Sequence, residues 1–141
     1  MSLFSFREPL RGYPHLLLLI RVVPVVCAVR AGLWLVSFRT LRRIVALLTK
    51  TGSGRTTQVP IDQLSRAVVG VSRYVPHATC LTQALALHIM LRRSRLQSRI
   101  RIGVAKEKGG CFEAHAWVES QGRVLIGDFD LNRYTPIMVW D

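Results

Sequence analysis

Residues 111 to 130 read CFEAHAWVESQGRVLIGDFD, and they place one histidine, His115, a hairpin's length before two aspartates, Asp128 and Asp130. The chain has only 8 acidic residues, so two in this short stretch ask for a reason. If Gln121 and Gly122 are the two loop residues of a hairpin, Ser120 faces Arg123, Trp117 faces Ile126 and His115 faces Asp128. Directly opposed residues hold their Cβ atoms about 5 Å apart on one side of the sheet, within reach of a carboxylate–imidazole hydrogen bond. Asp130 falls on the diagonal at roughly 7–8 Å unless a bulge re-aims it, and stays open as the alternative acid. A histidine held at one nitrogen by a carboxylate offers the other to a nucleophile, which is the logic of covalent acyl transfer.

Three cysteines could supply that nucleophile: Cys27, Cys80 and Cys111. In HATCLTQALALHIMLRR, Thr79 fits an N-cap, which makes Cys80 the first residue of a helix. Unpaired amides and the helix dipole favour a thiolate there. Cys111 is closer to His115 in sequence, but four residues along a strand span about 13 Å, so it belongs in the loop before that strand. Cys27 stands in an apolar segment and reads as a buried filler. Taken singly, each element has an ordinary explanation: a small residue at a helix start, a satisfied strand histidine, aspartates in Asx turns. Cys80, His115 and an aspartate in that order and spacing are what point to chemistry.

These residues need elements to hold them. Ile61, Leu64, Val68, Val71 and Val75 repeat at helical spacing up to Pro76. Ala84, Leu87 and Leu91 continue the face that Cys80 begins, and Arg92, Arg93 and Arg95 suit that helix's C-terminal end. RIRIGVA (99–105) alternates as a half-buried strand, the two halves of the hairpin follow, and a last strand is expected over 137–140. Helices followed by consecutive strands predict an α+β fold with an antiparallel sheet.

Residues 13 to 48 are strongly apolar, yet Arg21, Arg30 and Arg39 interrupt them every nine positions. The uncharged runs are then far shorter than the ~20 residues of a spanning helix. Nine positions turn a helix by half a revolution, so Arg21 and Arg39 would share a face with Arg30 opposite. Pro24 predicts a break and therefore two or more short buried helices. Residues 49–60, TKTGSGRTTQVP, read as a linker, dividing the chain into a basic helical subdomain (1–50), a linker (51–60) and the core that bears the chemistry (61–141). The first 50 residues carry eight basic side chains and one acid. Such a segment can pack as a subdomain, dock on a partner protein or lie on a membrane surface.

At 141 residues and half hydrophobic, the chain suits one domain with a true core. The net charge of +12 suits an anionic partner, or reflects the arginine bias of high-GC bacterial coding. Three cysteines make a poor disulfide framework, so a reducing, cytoplasmic compartment is expected, with membrane association as the variant that the basic N-terminal segment allows.

The blocks CLTQALALHIMLRR, RIGVAKEKGGCFEAHAWVE and GRVLIGDFDLNRYTPI in series resemble the transglutaminase-like cysteine peptidases of lasso-peptide biosynthesis, in their stand-alone protease form. The resemblance covers about residues 60 to 138. It implies a transglutaminase-like, papain-like core with the cysteine helix packed on an antiparallel sheet. It implies a leader peptidase in which Cys80 is the nucleophile, His115 the general base and acid, and Asp128 or Asp130 the orienting acid. The partners it implies are a leader–core precursor peptide, a separate leader-binding protein and an ATP-dependent lasso cyclase. No cofactor or metal is expected, and nothing here resembles a phosphate loop. Three other readings compete. A zinc module could use Cys80, Cys111, His115 and His77 or His88, but there is no Cys-x-x-Cys. A nucleic-acid binder would use the arginines, but no recognition motif is present. A transglutaminase or acyltransferase would use the same triad with an amine as acceptor.

Overall fold

The computed structural model describes residues 15–50, 59–128 and 130–141. Four helices come first: α1 (His15–Leu35), α2 (Phe38–Lys50), α3 (Ile61–Ser72) and α4 (Cys80–Arg93). Four strands follow, β1 (Arg99–Lys106), β2 (Phe112–Ser120), β3 (Arg123–Ile126) and β4 (Thr135–Trp140), with a 3₁₀ turn at Leu131–Arg133 before the last. All pairings are antiparallel and the spatial order is β3-β2-β1-β4. This is the expected α+β architecture.

One main core joins helices and sheet. Leu18, Val22, Val26 and Val29 of α1, Leu41 and Val45 of α2, Leu64 and Val68 of α3, and Leu85, Leu87 and Leu91 of α4 meet Ile100, Ala116, Val118, Ile126 and Trp140. Helices α1 and α2 therefore share the core of α3 and α4. The proposed linker falls mostly on residues 51–58, which lie outside the described residues. A smaller cluster of Ala105, Trp117 and Tyr134, flanked by Val124 and Leu131, forms apart from the main one. Alternation along β2 separates the two: Ala116 and Val118 join the main core, Trp117 the smaller cluster.

Several sequence expectations are corrected. The apolar N-terminal stretch does not break at Pro24, for α1 runs through it as one helix of 21 residues. Pro24 and Ile20, whose carbonyl loses its amide partner, are both exposed, so water can satisfy that group. Leu16–Leu35 is thus one helix long and apolar enough to cross a membrane by length and composition, with a mean hydropathy of 2.2 despite its arginines. The helical break comes at Val36–Ser37 instead, where Ser37 Oγ accepts from Thr40 N–H (3.3 Å) and caps α2. Arg39 belongs to this second helix and shares no helix face with Arg21. Helix α3 stops at Ser72, so Val75 packs from the following turn. Cys27 is exposed rather than a buried filler, because α1 turns Val22, Val26 and Val29 inward.

Candidate active site

Cys80 stands where capping chemistry predicts, as the first residue of α4. The Thr79 hydroxyl accepts from Thr82 N–H at 3.5 Å, and Thr79 C=O accepts from Gln83 N–H at 3.1 Å. The N–H groups of Cys80 and Leu81 precede the first intrahelical partner and stay available to an external acceptor. Cys80 is part-exposed at the margin of the main core, while Ala84, Leu87 and Leu91 behind it are fully buried. That burial anchors α4 against β2, the strand that carries His115.

The hairpin forms on Gln121–Gly122, both with positive φ (51° and 76°), as a primed two-residue turn demands. Ser120 pairs with Arg123 as expected. The ladder then slips by one residue: Glu119 pairs with Val124 but Val118 with Ile126, leaving Leu125 as the extra residue of a bulge. Trp117 therefore does not face Ile126, and the pairing ends before it could set His115 opposite Asp128. The physical reason is burial parity: the slip returns Ile126 to the main core beside Val118.

What meets the histidine ring is the backbone next to Asp128. His115 Nε2 lies 2.8 Å from the carbonyl oxygen of Gly127. A carbonyl only accepts, so Nε2 carries the hydrogen and Nδ1, which has no hydrogen-bond partner among the described residues, is the nitrogen with the lone pair. Gly127 is required for this approach: its φ is +83°, and a Cβ there would sit 2.7 Å from Ala116 O and 2.8 Å from Trp117 Cβ. Asp128 is exposed, and no hydrogen bond joins its carboxylate to the ring among the described residues. Asp130, also exposed and in a left-handed conformation (φ 47°), precedes the 3₁₀ turn and approaches Arg133 at 3.7 Å. No hydrogen bond joins Cys80 Sγ to His115 among the described residues; the two are related through the packing of α4 on β2.

Sequence reasoning missed the ring's other neighbours. Tyr134 is buried with its ring centroid 5.0 Å from that of His115, and Trp117 lies at 6.2 Å with its plane inclined by 24°. Glu119 accepts from Trp117 Nε1 (3.1 Å) and from Arg101 Nε (3.0 Å). His115, Trp117 and Glu119 are alternate residues of β2, so the HAWVE segment places them on one face, with the carboxylate fixing the indole that flanks the imidazole. Desolvation raises the Tyr134 phenol above its ordinary range, reinforced by a hydrogen bond to Glu113. The alternation H-x-W-x-E and the Gly before Asp128 were the available signals.

Cys111 sits in the loop before β2, exposed, its carbonyl accepting from Glu107 N–H at 2.8 Å. His77 and His88 do not join Cys80 and His115, and no metal-ligand cluster exists among the described residues. His88 is instead a buried core residue whose Nδ1 meets Ser98 Oγ at 2.8 Å.

No curated protein and no solved structure matches the chain significantly. The family model of the transglutaminase-like superfamily matches residues 25–139, from the middle of α1 to the end of the sheet. Its members are generally enzymes with a Cys-His-Asp site, on a fold of the cysteine peptidase and acyltransferase type. With a capped cysteine helix, a histidine strand and an aspartate-bearing turn in that order, the chain belongs to the transglutaminase-like superfamily.

Proposed function

We propose that the chain is a cysteine peptidase that removes the leader from a ribosomally made lasso-peptide precursor, working with a separate leader-binding protein and an ATP-dependent macrolactam cyclase. The observation that carries the peptidase reading is the polarity of His115: Nε2 is tied to Gly127 O, leaving Nδ1 as a base on the strand against which the Cys80 helix packs. The lasso-peptide assignment rests on the resemblance of the three sequence blocks.

In this mechanism the Cys80 thiol gives its proton to His115 Nδ1, and the thiolate attacks the carbonyl at the leader–core junction. The Cys80 amide, unclaimed at the helix start, donates to the developing oxyanion. The tetrahedral adduct collapses as imidazolium protonates the departing core amine, leaving the leader as a thioester on Cys80. Imidazole then takes a proton from water, the hydroxide adds to the thioester, and collapse of the second adduct returns the thiol and a free leader carboxylate. Gly127 O holds the tautomer throughout. Asp128, or alternatively Asp130, supplies the negative charge that steadies the imidazolium.

The test is cleavage of a leader–core peptide followed by mass spectrometry, with and without the leader-binding protein. Cys80→Ala abolishes cleavage and Cys111→Ala does not; normal turnover by Cys80→Ala refutes the assignment. Full activity of the chain alone would remove the leader-binding partner from the scheme. A product in which an added amine replaces water identifies an acyltransferase instead.

A further inference from the structure

Helix α1 has two faces, and the function just proposed uses neither the outer one nor its chemistry. Leu18, Val22, Val26 and Val29 are buried on the inner side. At about 100° per residue the opposite half carries Leu16, Leu17, Ile20, Val23, Trp34 and Leu35, each at least 42% exposed. The helix is about 30 Å long at 1.5 Å per residue, so these side chains form a long apolar strip that the described residues leave exposed. Only Arg21 and Arg30 interrupt α1, and both fall at the margins of the outer half.

Charge chooses the occupant. Between residues 15 and 50 stand six basic residues (Arg21, Arg30, Arg39, Arg42, Arg43 and Lys50) and no acidic one. A second copy would bring the same positive charge, on chains that each carry +12. A bilayer-spanning role would pull the inner face of α1 out of the main core, where four of its residues are at most 4% exposed. A helix that keeps one face in its domain and offers the other, apolar and rimmed by arginine, fits the interfacial region of an anionic membrane. The geometry points to docking of this domain on an anionic phospholipid surface, with the outer face of α1 lying in the membrane plane.

Tryptophan fluorescence reads this directly. Trp34 is 78% exposed, whereas Trp117 and Trp140 are 4% exposed, so a change on docking reports on Trp34. The full chain is titrated with vesicles of phosphatidylcholine alone and of phosphatidylcholine with 30% phosphatidylglycerol. The expected result is a blue shift and co-sedimentation with the anionic vesicles, reversed by salt and much weaker with the neutral ones. Leu17→Glu with Ile20→Glu should abolish binding. Arg39→Ala and Arg43→Ala, both at exposed positions, should each lower it about fivefold. No shift with anionic vesicles, equal binding to both compositions, or binding unchanged in both sets of variants overturns the proposal. So does a dimer without vesicles in which Trp34 is already shielded, which would make a second copy the occupant. Circular dichroism matching the unsubstituted chain shows that the variants remain folded.

Discussion

The buried His88 should make the fold sensitive to mild acid. Its side chain is 1% exposed, and burial, reinforced by the nearby Arg92 charge and only partly countered by Asp141, lowers its pKa from 6.5 to about 4. In the unfolded chain the ring protonates near its ordinary value, so between pH 6.5 and 4 the unfolded state binds a proton that the native state refuses. Stability contributed by the neutral ring is complete above pH 6.5 and is lost as pH falls toward 4. The slope is about 1.4 kcal/mol per pH unit, which over this window gives a loss of about 3 kcal/mol, with roughly 2.5 kcal/mol gone by pH 4.5. That is a large share of the stability of an ordinary domain. Urea denaturation at pH 7.5, 6.5, 5.5 and 4.5 measures it, with His88→Gln as comparator. The glutamine variant is less stable at pH 7.5 because its contact with Ser98 Oγ is altered, but its decline toward acid is shallower by the amount given. Parallel pH profiles for the two chains would refute the reasoning, whatever their absolute stabilities.

Three further outcomes follow from the site and its turn. Asp128→Asn should lower turnover by about 10²-fold or less, against the ~10⁴-fold loss seen where a carboxylate bonds the catalytic imidazole directly, and Asp130→Asn should matter less still; a larger loss at Asp130 moves the acid there. Gly127→Ala should cost about 1–3 kcal/mol in urea unfolding and reduce turnover at pH 7.5 as well, because its Cβ meets Ala116 O at 2.7 Å and shifts the carbonyl away from His115; an unaltered enzyme would show that the carbonyl is dispensable. Gln121→Asn should stabilise by roughly 0.5 kcal/mol, since φ is +51° there and asparagine adopts that region more readily; a lower thermal midpoint would count against the primed turn.

Elements whose signals are local were legible in the sequence. The Thr79 cap set the start of α4 at Cys80, the alternation of RIRIGVA set β1, and Gln121–Gly122 set the hairpin. What the sequence could not carry depended on partners distant in the chain. Pro24 predicts a break when only its missing N–H is considered, but α1 is held by packing along its whole inner face and tolerates the loss. The hairpin count was sound for its first two pairs and failed at the third, where the burial of Ile126 in the shared core outweighed regular pairing. The backbone carbonyl at His115 had no side-chain signature at all. Tyr134 was visible as a letter, but only the return of the chain through the 3₁₀ turn brings it over the imidazole.

The extra residue at Leu125 reaches beyond its own stretch of ladder. It acts as a one-residue spacer that decides whether main chain or carboxylate is presented to the imidazole. Uniform pairing of the same residues would set Leu125 opposite Val118 and bring the Asp128 side chain abreast of His115, while turning Ile126 out of the main core. The register of this short ladder thus decides which group meets the imidazole without changing any of the reacting residues, whereas added residues in the exposed tip would leave it untouched.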